Sequence, residues 1–303
     1  MSRIHEALKK AEEQRAASPA QVGQTKPASA PPVIPANISV LTSSPSRNAS
    51  VTTPPLTLDV LRECSPQSHW SPDAKTMLFF GPDEQTYGTE QFRALRSRLY
   101  QAREKQPLKK ILVTSALAKE GKSFVAANLA QALVQQEGRR VLLIYGDLRG
   151  ARLHLALGTA IAPGLADYLL GTADELTIMQ RGAKENLFFI PSGHEVSNPA
   201  ELIAGERLKA LLNRLEPLFD WIIIDSPPAV PVTDAALLAK HCDGVLMVVR
   251  ANATPFDVAQ KAREEFGEDQ LLGVVLNGVG PGSLPYTRYY YTYDRTNGKE
   301  AQR

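Results

Sequence analysis

The sequence is short of several things, and each shortage removes a class of protein. It holds two cysteines in 303 residues, Cys64 and Cys242. Two thiols so far apart make no disulfide framework and lack the spacing of a thiolate metal site. A reducing compartment is expected. No apolar run approaches the ~18 residues that a membrane-spanning helix needs. The opening residues, Met1-Ser2-Arg3-Ile4-His5-Glu6, carry no apolar stretch of the secretory-signal kind. Any membrane role is therefore expected to run through a partner. The formal net charge is +2, from 34 Lys and Arg against 32 Asp and Glu. Composition thus gives no basis for a nucleic-acid partner. Glycine and proline, at 20 and 22 residues, are too few for a collagen-like or wholly disordered chain. No Gly-x-Gly-x-x-Gly opens a helix after the first strand, which disfavours a dinucleotide dehydrogenase.

What remains is globular chemistry, 43% hydrophobic and 22% charged, arranged in zones. Residues 1–17 predict a short helix, with Ile4, Ala7, Leu8 and Ala11 at helical spacing among Arg, Lys and Glu. So short a helix is marginal alone. It reads either as a fraying terminus or as a docking helix for another protein. Residues 18–57 contain eight Pro and seven Ser, with Lys26 and Arg47 as their charged residues. That composition cannot bury enough apolar surface to offset its ordering entropy, so a disordered linker is expected. Residues 58–83 form a connecting segment whose Leu58, Leu61, Trp70, Met77 and Phe79 could pack on the domain behind.

The domain proper is expected over 84–280, opening with a helix near 84–105 whose stripe is Tyr87, Gln91, Leu95 and Leu99, with Phe92 beside it. Apolar runs then recur: Ile111–Val113, Val141–Ile144, Leu187–Ile190, Trp221–Ile224, Val245–Val249 and Leu271–Leu276. Short, near-continuous Val/Ile/Leu runs suit strands buried on both faces, and the helical stretches between them supply parallel crossovers. The fold class is α/β: a mostly parallel central sheet flanked by helices, preceded by the disordered linker and followed by a flexible tail over 281–303.

Ala116-Leu117-Ala118-Lys119-Glu120-Gly121-Lys122-Ser123 fits the P-loop pattern with Ala at the first position. It follows a strand ending at Ser115 and opens a helix through Val125, Ala126, Leu129 and Leu133. In such a loop, backbone N–H groups converge on phosphate oxygens. Gly121 permits close approach. Lys122 reaches the β and γ phosphates, and the Ser123 hydroxyl can ligate Mg²⁺. The run Trp221–Asp225 puts a carboxylate at the end of a buried strand, where it can hold Mg²⁺ directly or through water. A third strand, Val141–Tyr145, delivers Asp147 and Arg149 to the same end, where open α/β sheets bind ligands. Asp147 there could accept a proton from an attacking hydroxyl; the plainer alternative is a turn or capping residue. A P-loop of this kind implies a nucleotide phosphate and Mg²⁺.

The C-terminal zone carries Tyr286, Tyr289, Tyr290, Tyr291 and Tyr293, five of the nine tyrosines in the chain. Their neighbours are polar, so this is no packing period. It reads as a phosphoacceptor array or as an adhesive aromatic tail.

Taken in order, these residues resemble the bacterial tyrosine kinases of capsule and exopolysaccharide systems, within the MinD/ParA-like P-loop superfamily. Glu90, Phe92, Arg93 and Arg96 match the family's self-association helix; Ser115–Ser123 its Walker A; Asp147-Leu148-Arg149 its Walker A′. Ile224-Asp225-Ser226-Pro227-Pro228 matches its Walker B, followed by Val232-Thr233-Asp234-Ala235. Val275-Leu276-Asn277-Gly278 resembles the strand whose Asn lies near the adenine. The resemblance covers about residues 84–293. It implies that the nucleotide is ATP and that the chain is a protein-tyrosine autokinase with Lys122, Asp147 and Asp225 as catalytic residues. Nucleotide contacts would come from Ala118, Lys119, Glu120, Gly121, Lys122, Ser123, Phe124, Arg149 and Asn277. Metal contacts would come from Ser123, Asp147 and Asp225. It further implies a cytoplasmic, ring-like homo-oligomer associating through Glu90, Arg93 and Arg96. A separate membrane protein controlling chain length or export would recruit the ring to the inner face of the membrane and activate it.

Three departures stand out. The family usually carries Asp where Tyr145 stands, Pro where Ala118 stands, and Arg-Pro where Gly150 and Ala151 stand. Loss of an outer-shell metal carboxylate typically costs 10–100-fold in affinity or activity. A weakened kinase is therefore expected, with a catalytically weak ATP-binding scaffold as the alternative, and restoring Asp at 145 is expected to raise turnover. A MinD/ParA-like partitioning ATPase is a further alternative; that group carries Lys where Leu117 stands.

Overall fold

The computed structural model describes residues 56–65, 70–80, 87–150, 152–182 and 184–280. The helix expected over 1–17, the linker up to residue 55 and the tyrosines of 286–293 lie outside these residues. Helices α1 (Leu58–Cys64) and α2 (Tyr87–Lys105) lead into β1 (Lys110–Ser115), α3 (Lys122–Val134) and β2 (Val141–Tyr145). Next come α4 (Leu153–Leu157), α5 (Leu165–Leu170), β3 (Gln180–Arg181), β4 (Leu187–Ile190), α6 (Pro199–Ala204) and α7 (Glu206–Leu215). The chain continues through β5 (Trp221–Asp225), α8 (Asp234–Ala239), β6 (Gly244–Arg250), α9 (Phe256–Glu264) and β7 (Leu271–Asn277).

The strands make one sheet of order β3-β4-β2-β5-β1-β6-β7. Neighbours pair in parallel except β3 with β4. The apolar runs work because helices cover both faces. Ile111, Val113, Leu143 and Ile223 belong to the buried cluster that holds α3, whereas Leu112, Leu142, Ile222 and Ile224 belong to the cluster that holds α5, α7 and α8. Each fully buried aliphatic side chain contributes roughly 1.5–3 kcal/mol. β7 differs from the expectation of a strand buried on both faces. It is the sheet edge, and Val274 and Leu276 are 54% and 57% exposed. An apolar run cannot report which strand ends the sheet.

Helix α3 is apolar nearly all round, with Val125, Ala126, Ala127, Leu129, Ala130 and Leu133 buried. Its two buried amides catch the segment before α2. Leu78 N donates to Asn128 Oδ1 at 2.8 Å, and Asn128 Nδ2 donates to Thr76 O at 2.8 Å. Gln131 Nε2 lies 3.1 Å from Met77 Sδ. Leu61, Met77 and Phe79 are buried with the core. On α2 the buried face is Thr89, Phe92 and Leu99, and Tyr87 and Gln91 of the expected stripe are exposed. The helix is rotated so that Phe92 meets Phe124 edge-on, with ring centroids 5.8 Å apart.

Parallel pairing brings the carboxyl ends of every strand but β3 to one edge of the sheet. β2, β5 and β1 are adjacent, so the segments leaving those three strands meet in one crevice.

Candidate active site

The loop from Ala116 to Gly121 joins β1 to α3. Lys119 and Gly121 both have positive φ, 67° and 95°. At Gly121 the left-handed φ favours glycine, and a Cβ would crowd the end of the Asn277 side chain. Ala118 and Lys119 form the exposed tip, and Lys122, Ser123 and Phe124 are half-buried.

The loop is held from three sides. The Glu120 carboxylate accepts from Leu117 N at 2.6 Å and from the Thr254 hydroxyl. Arg250 Nη1 donates to Lys119 O at 3.1 Å. Asn277 Nδ2 donates to Glu120 O at 2.8 Å. Glu120 is 3% exposed, so its side chain braces the loop from within. Asn277, expected near the adenine, uses its amide nitrogen for the same purpose. Phe124 lines a cleft of about 340 Å³ beside the loop, with Tyr87, Leu95, Val274 and Leu276 among its walls.

Lys122, Asp147 and Asp225 converge. Lys122 Nζ donates to Asp147 Oδ2 at 3.0 Å and lies 3.5 Å from Ser123 Oγ. Burial works against the charged ammonium, but Asp225 and then Asp147 outweigh it and raise its pKa above the ordinary range. Asp225 ends β5 in register with Val113 of β1 and Tyr145 of β2. It is 0% exposed, and neither carboxylate oxygen has a hydrogen-bond partner of good geometry. Burial pushes this carboxyl up to about 7, against the opposing Lys122 charge and Ser123 hydroxyl.

An orphaned buried carboxylate is costly, and two unpartnered hard oxygens beside a hydroxyl and a second acid fit Mg²⁺. Among the described residues no three of His, Cys, Asp or Glu converge into a metal cage. Mg²⁺ needs none, since it commonly takes one or two carboxylates and completes its shell with phosphate and water.

Arg149, expected at the nucleotide, gives its guanidinium to Asp234 at the start of α8. Nε meets Oδ2 at 2.8 Å and Nη2 meets Oδ1 at 2.9 Å. Asp234 is 0% exposed. Of the residues expected to mediate self-association, Glu90 and Arg93 pair with each other on α2. Arg96 donates to Ala132 O in the last turn of α3 at 2.7 Å. The sequence reading missed Arg250 and Thr254 as loop braces, Asp234 as the partner of Arg149, and the bonds of the Tyr145 phenol to the chain beyond Arg149.

A parallel α/β sheet, a glycine-bearing loop at a helix start and a buried acid at the end of the neighbouring strand define a P-loop nucleotide-binding protein. The AAA domain family profile matches residues 109–259. The tyrosine-protein kinase YwqD of Bacillus subtilis is 33% identical over 214 residues, spanning 70% of this chain and 90% of that protein. The tyrosine-protein kinase CpsD of Streptococcus agalactiae is 32% identical over 203 residues, spanning 66% and 87%. The kinase wzc of Salmonella typhi is 34% identical over 208 residues, but the match covers 29% of that longer protein. Among solved structures, the chimerical protein CapA2B2 superposes with a TM-score of 0.63 at 30% identity, over 72% of this chain and 96% of that one. The kinase domain of the Escherichia coli tyrosine kinase ETK gives 0.62 at 27%, over 74% and 88%. The chain belongs to the bacterial tyrosine-protein kinase family.

Proposed function

We propose that the protein is an ATP-dependent protein-tyrosine autokinase. It transfers the γ-phosphoryl group to C-terminal tyrosines of a neighbouring copy and thereby regulates polymerisation and export of an exopolysaccharide or capsule. The observation that carries this reading is the approach of Lys122 Nζ to Asp147 Oδ2, 3.0 Å, beside the wholly buried Asp225. That meeting lies at a phosphate-binding loop in a chain of this family.

The loop N–H groups from Ala118 to Phe124 and the Lys122 ammonium hold the phosphates of ATP. The Ser123 hydroxyl and the Asp147 and Asp225 carboxylates hold Mg²⁺, which when bound offsets charge developing on the phosphoryl oxygens. Asp225 is sealed from solvent and is unsuited to meet an incoming phenol. Asp147, 7% exposed, takes the proton of the attacking hydroxyl. Holding that hydroxyl in line with the γ-phosphate supplies much of the rate.

The acceptors are Tyr286, Tyr289, Tyr290, Tyr291 and Tyr293. Copies associate in a ring through the Glu90, Arg93 and Arg96 side of α2. Each phosphotyrosine adds roughly −1.5 to −2 charges, so successive transfers drive the tail from the acidic site and loosen the ring. Among the described residues no helix is long and apolar enough to cross a membrane. A separate membrane protein of the export system then recruits and activates the kinase at the inner membrane face, and no nucleic acid takes part.

The test is incubation with γ-labelled ATP and Mg²⁺, with and without the cytoplasmic segment of such a membrane protein, followed by mapping of the label. Label on Tyr286–Tyr293 that disappears in Lys122→Ala supports the reading. Nucleotide binding with no transfer under either condition overturns it in favour of a scaffold.

A further inference from the structure

We infer that Tyr145 is a positioning residue of this site: its phenol staples the loop that carries Asp147 and Arg149, and so fixes Asp147 toward the metal of the nucleotide. The metal half of the inference rests on the nucleotide reading above; the staple itself does not.

Tyr145 is the last residue of β2 and pairs in register with Asp225. Its ring is 2% exposed and belongs to the buried cluster that includes Val125, Leu153 and Leu157. The hydroxyl donates to Gly150 O at 2.6 Å and accepts from Arg152 N at 3.1 Å. Both bonds go to main chain on either side of one residue, and a phenol that donates and accepts in this way holds a loop in one conformation. Phenylalanine would fill the same volume. A buried hydroxyl persists without penalty only because both of its bonds are made.

The loop has three other anchors, one of them the bond from Lys122 Nζ to Asp147 Oδ2. Gly146 N donates to Asp225 O at 2.7 Å where the loop begins, and the Arg149–Asp234 pair holds its middle. Its far end rests on Tyr145. Asp147 therefore sits on a short loop fixed at both ends and at its middle. Outer-shell groups that orient a metal ligand typically govern 10–100-fold of metal affinity.

The test compares wild type with Tyr145→Phe, which keeps the ring and removes both bonds. Amide hydrogen exchange in the nucleotide-free protein is expected to quicken about 10-fold over 148–152. The Mg²⁺ concentration that half-saturates ADP binding is expected to rise about 10-fold, with ADP binding in EDTA unchanged. Tyr100→Phe is the control: Trp221 Nε1 donates to Tyr100 Oη at 3.1 Å, away from the carboxyl ends of the strands. It is expected to lower stability without moving the Mg²⁺ requirement. Unchanged exchange over 148–152 in Tyr145→Phe overturns the staple. Quickened exchange with an unchanged Mg²⁺ requirement, or an equal shift in Tyr100→Phe, overturns the link to the metal. A wild type that binds no ADP with or without Mg²⁺ overturns the nucleotide reading and with it that link, and the exchange comparison still decides the staple.

Discussion

Arg149 and Asp234 form a two-point ion pair in which the acid side chain is 0% exposed and the base 43% exposed. The pair ties the loop after β2 to the start of α8. Truncating the base leaves a carboxylate sealed from water, and truncating the acid releases a cation that can turn to solvent. Arg149→Ala is therefore expected to destabilise more than Asp234→Ala. The double variant should cost less than the two singles combined, with a coupling of about 1–3 kcal/mol. Urea unfolding of the four proteins measures it, and strictly additive losses would show that the pair does not act as one unit.

The resemblance leads one to expect that Tyr145→Asp raises turnover, but the bonds of the phenol argue for the opposite outcome. An Asp side chain is too short to span to Gly150 and Arg152, so Tyr145→Asp loses both bonds of the phenol. It also places a second charge beside the wholly buried Asp225. Autophosphorylation is expected to fall by about 10-fold or more, measured as initial rate at saturating ATP and Mg²⁺. A rate equal to or above wild type would show that the extra carboxylate outweighs the lost bonds.

The strands were legible because a sheet covered on both faces needs unbroken Val/Ile/Leu, and the phosphate loop because its glycine and lysine spacing is set by the chain's own geometry. What escaped was decided between distant residues. The two-residue β3 is too short to leave an apolar run. Glu120 carries the same letter whether it faces a phosphate or braces a loop, and its inward turn depends on Thr254, 134 residues further on. Arg149 likewise finds Asp234 across 85 residues. The exposure of Val274 and Leu276 follows from strand order, which no single run records.

Asp225 gives the metal-free protein a pH signature. Its folded pKa, about 7, lies above its ordinary value of 3.8 because burial disfavours the charge. Its contribution to stability is therefore fully present below about pH 4 and is lost as pH rises through 7. Asp225→Asn removes the titration. In EDTA, the stability of the variant relative to wild type is expected to rise by about 1–3 kcal/mol between pH 5 and pH 8. Chemical denaturation at the two pH values measures the change, and parallel curves would place the carboxyl in a better-solvated environment than the fold shows.

Gly121 is constrained by its φ of 95° and crowded by the end of the Asn277 side chain, which a Cβ would displace. The two constraints can be separated. Gly121→Ala is expected to destabilise by about 1–2 kcal/mol from backbone strain, with an added cost from pushing Asn277 off Glu120 O. Pairing it with Asn277→Ala clears the space and leaves the strain. The double variant should therefore bind ADP more tightly than Gly121→Ala and remain weaker than Asn277→Ala alone. Titration with a fluorescent ADP analogue ranks the three. If the double variant matched Asn277→Ala, the left-handed turn would carry no cost, and crowding by Asn277 would be the whole reason that glycine stands at this bend.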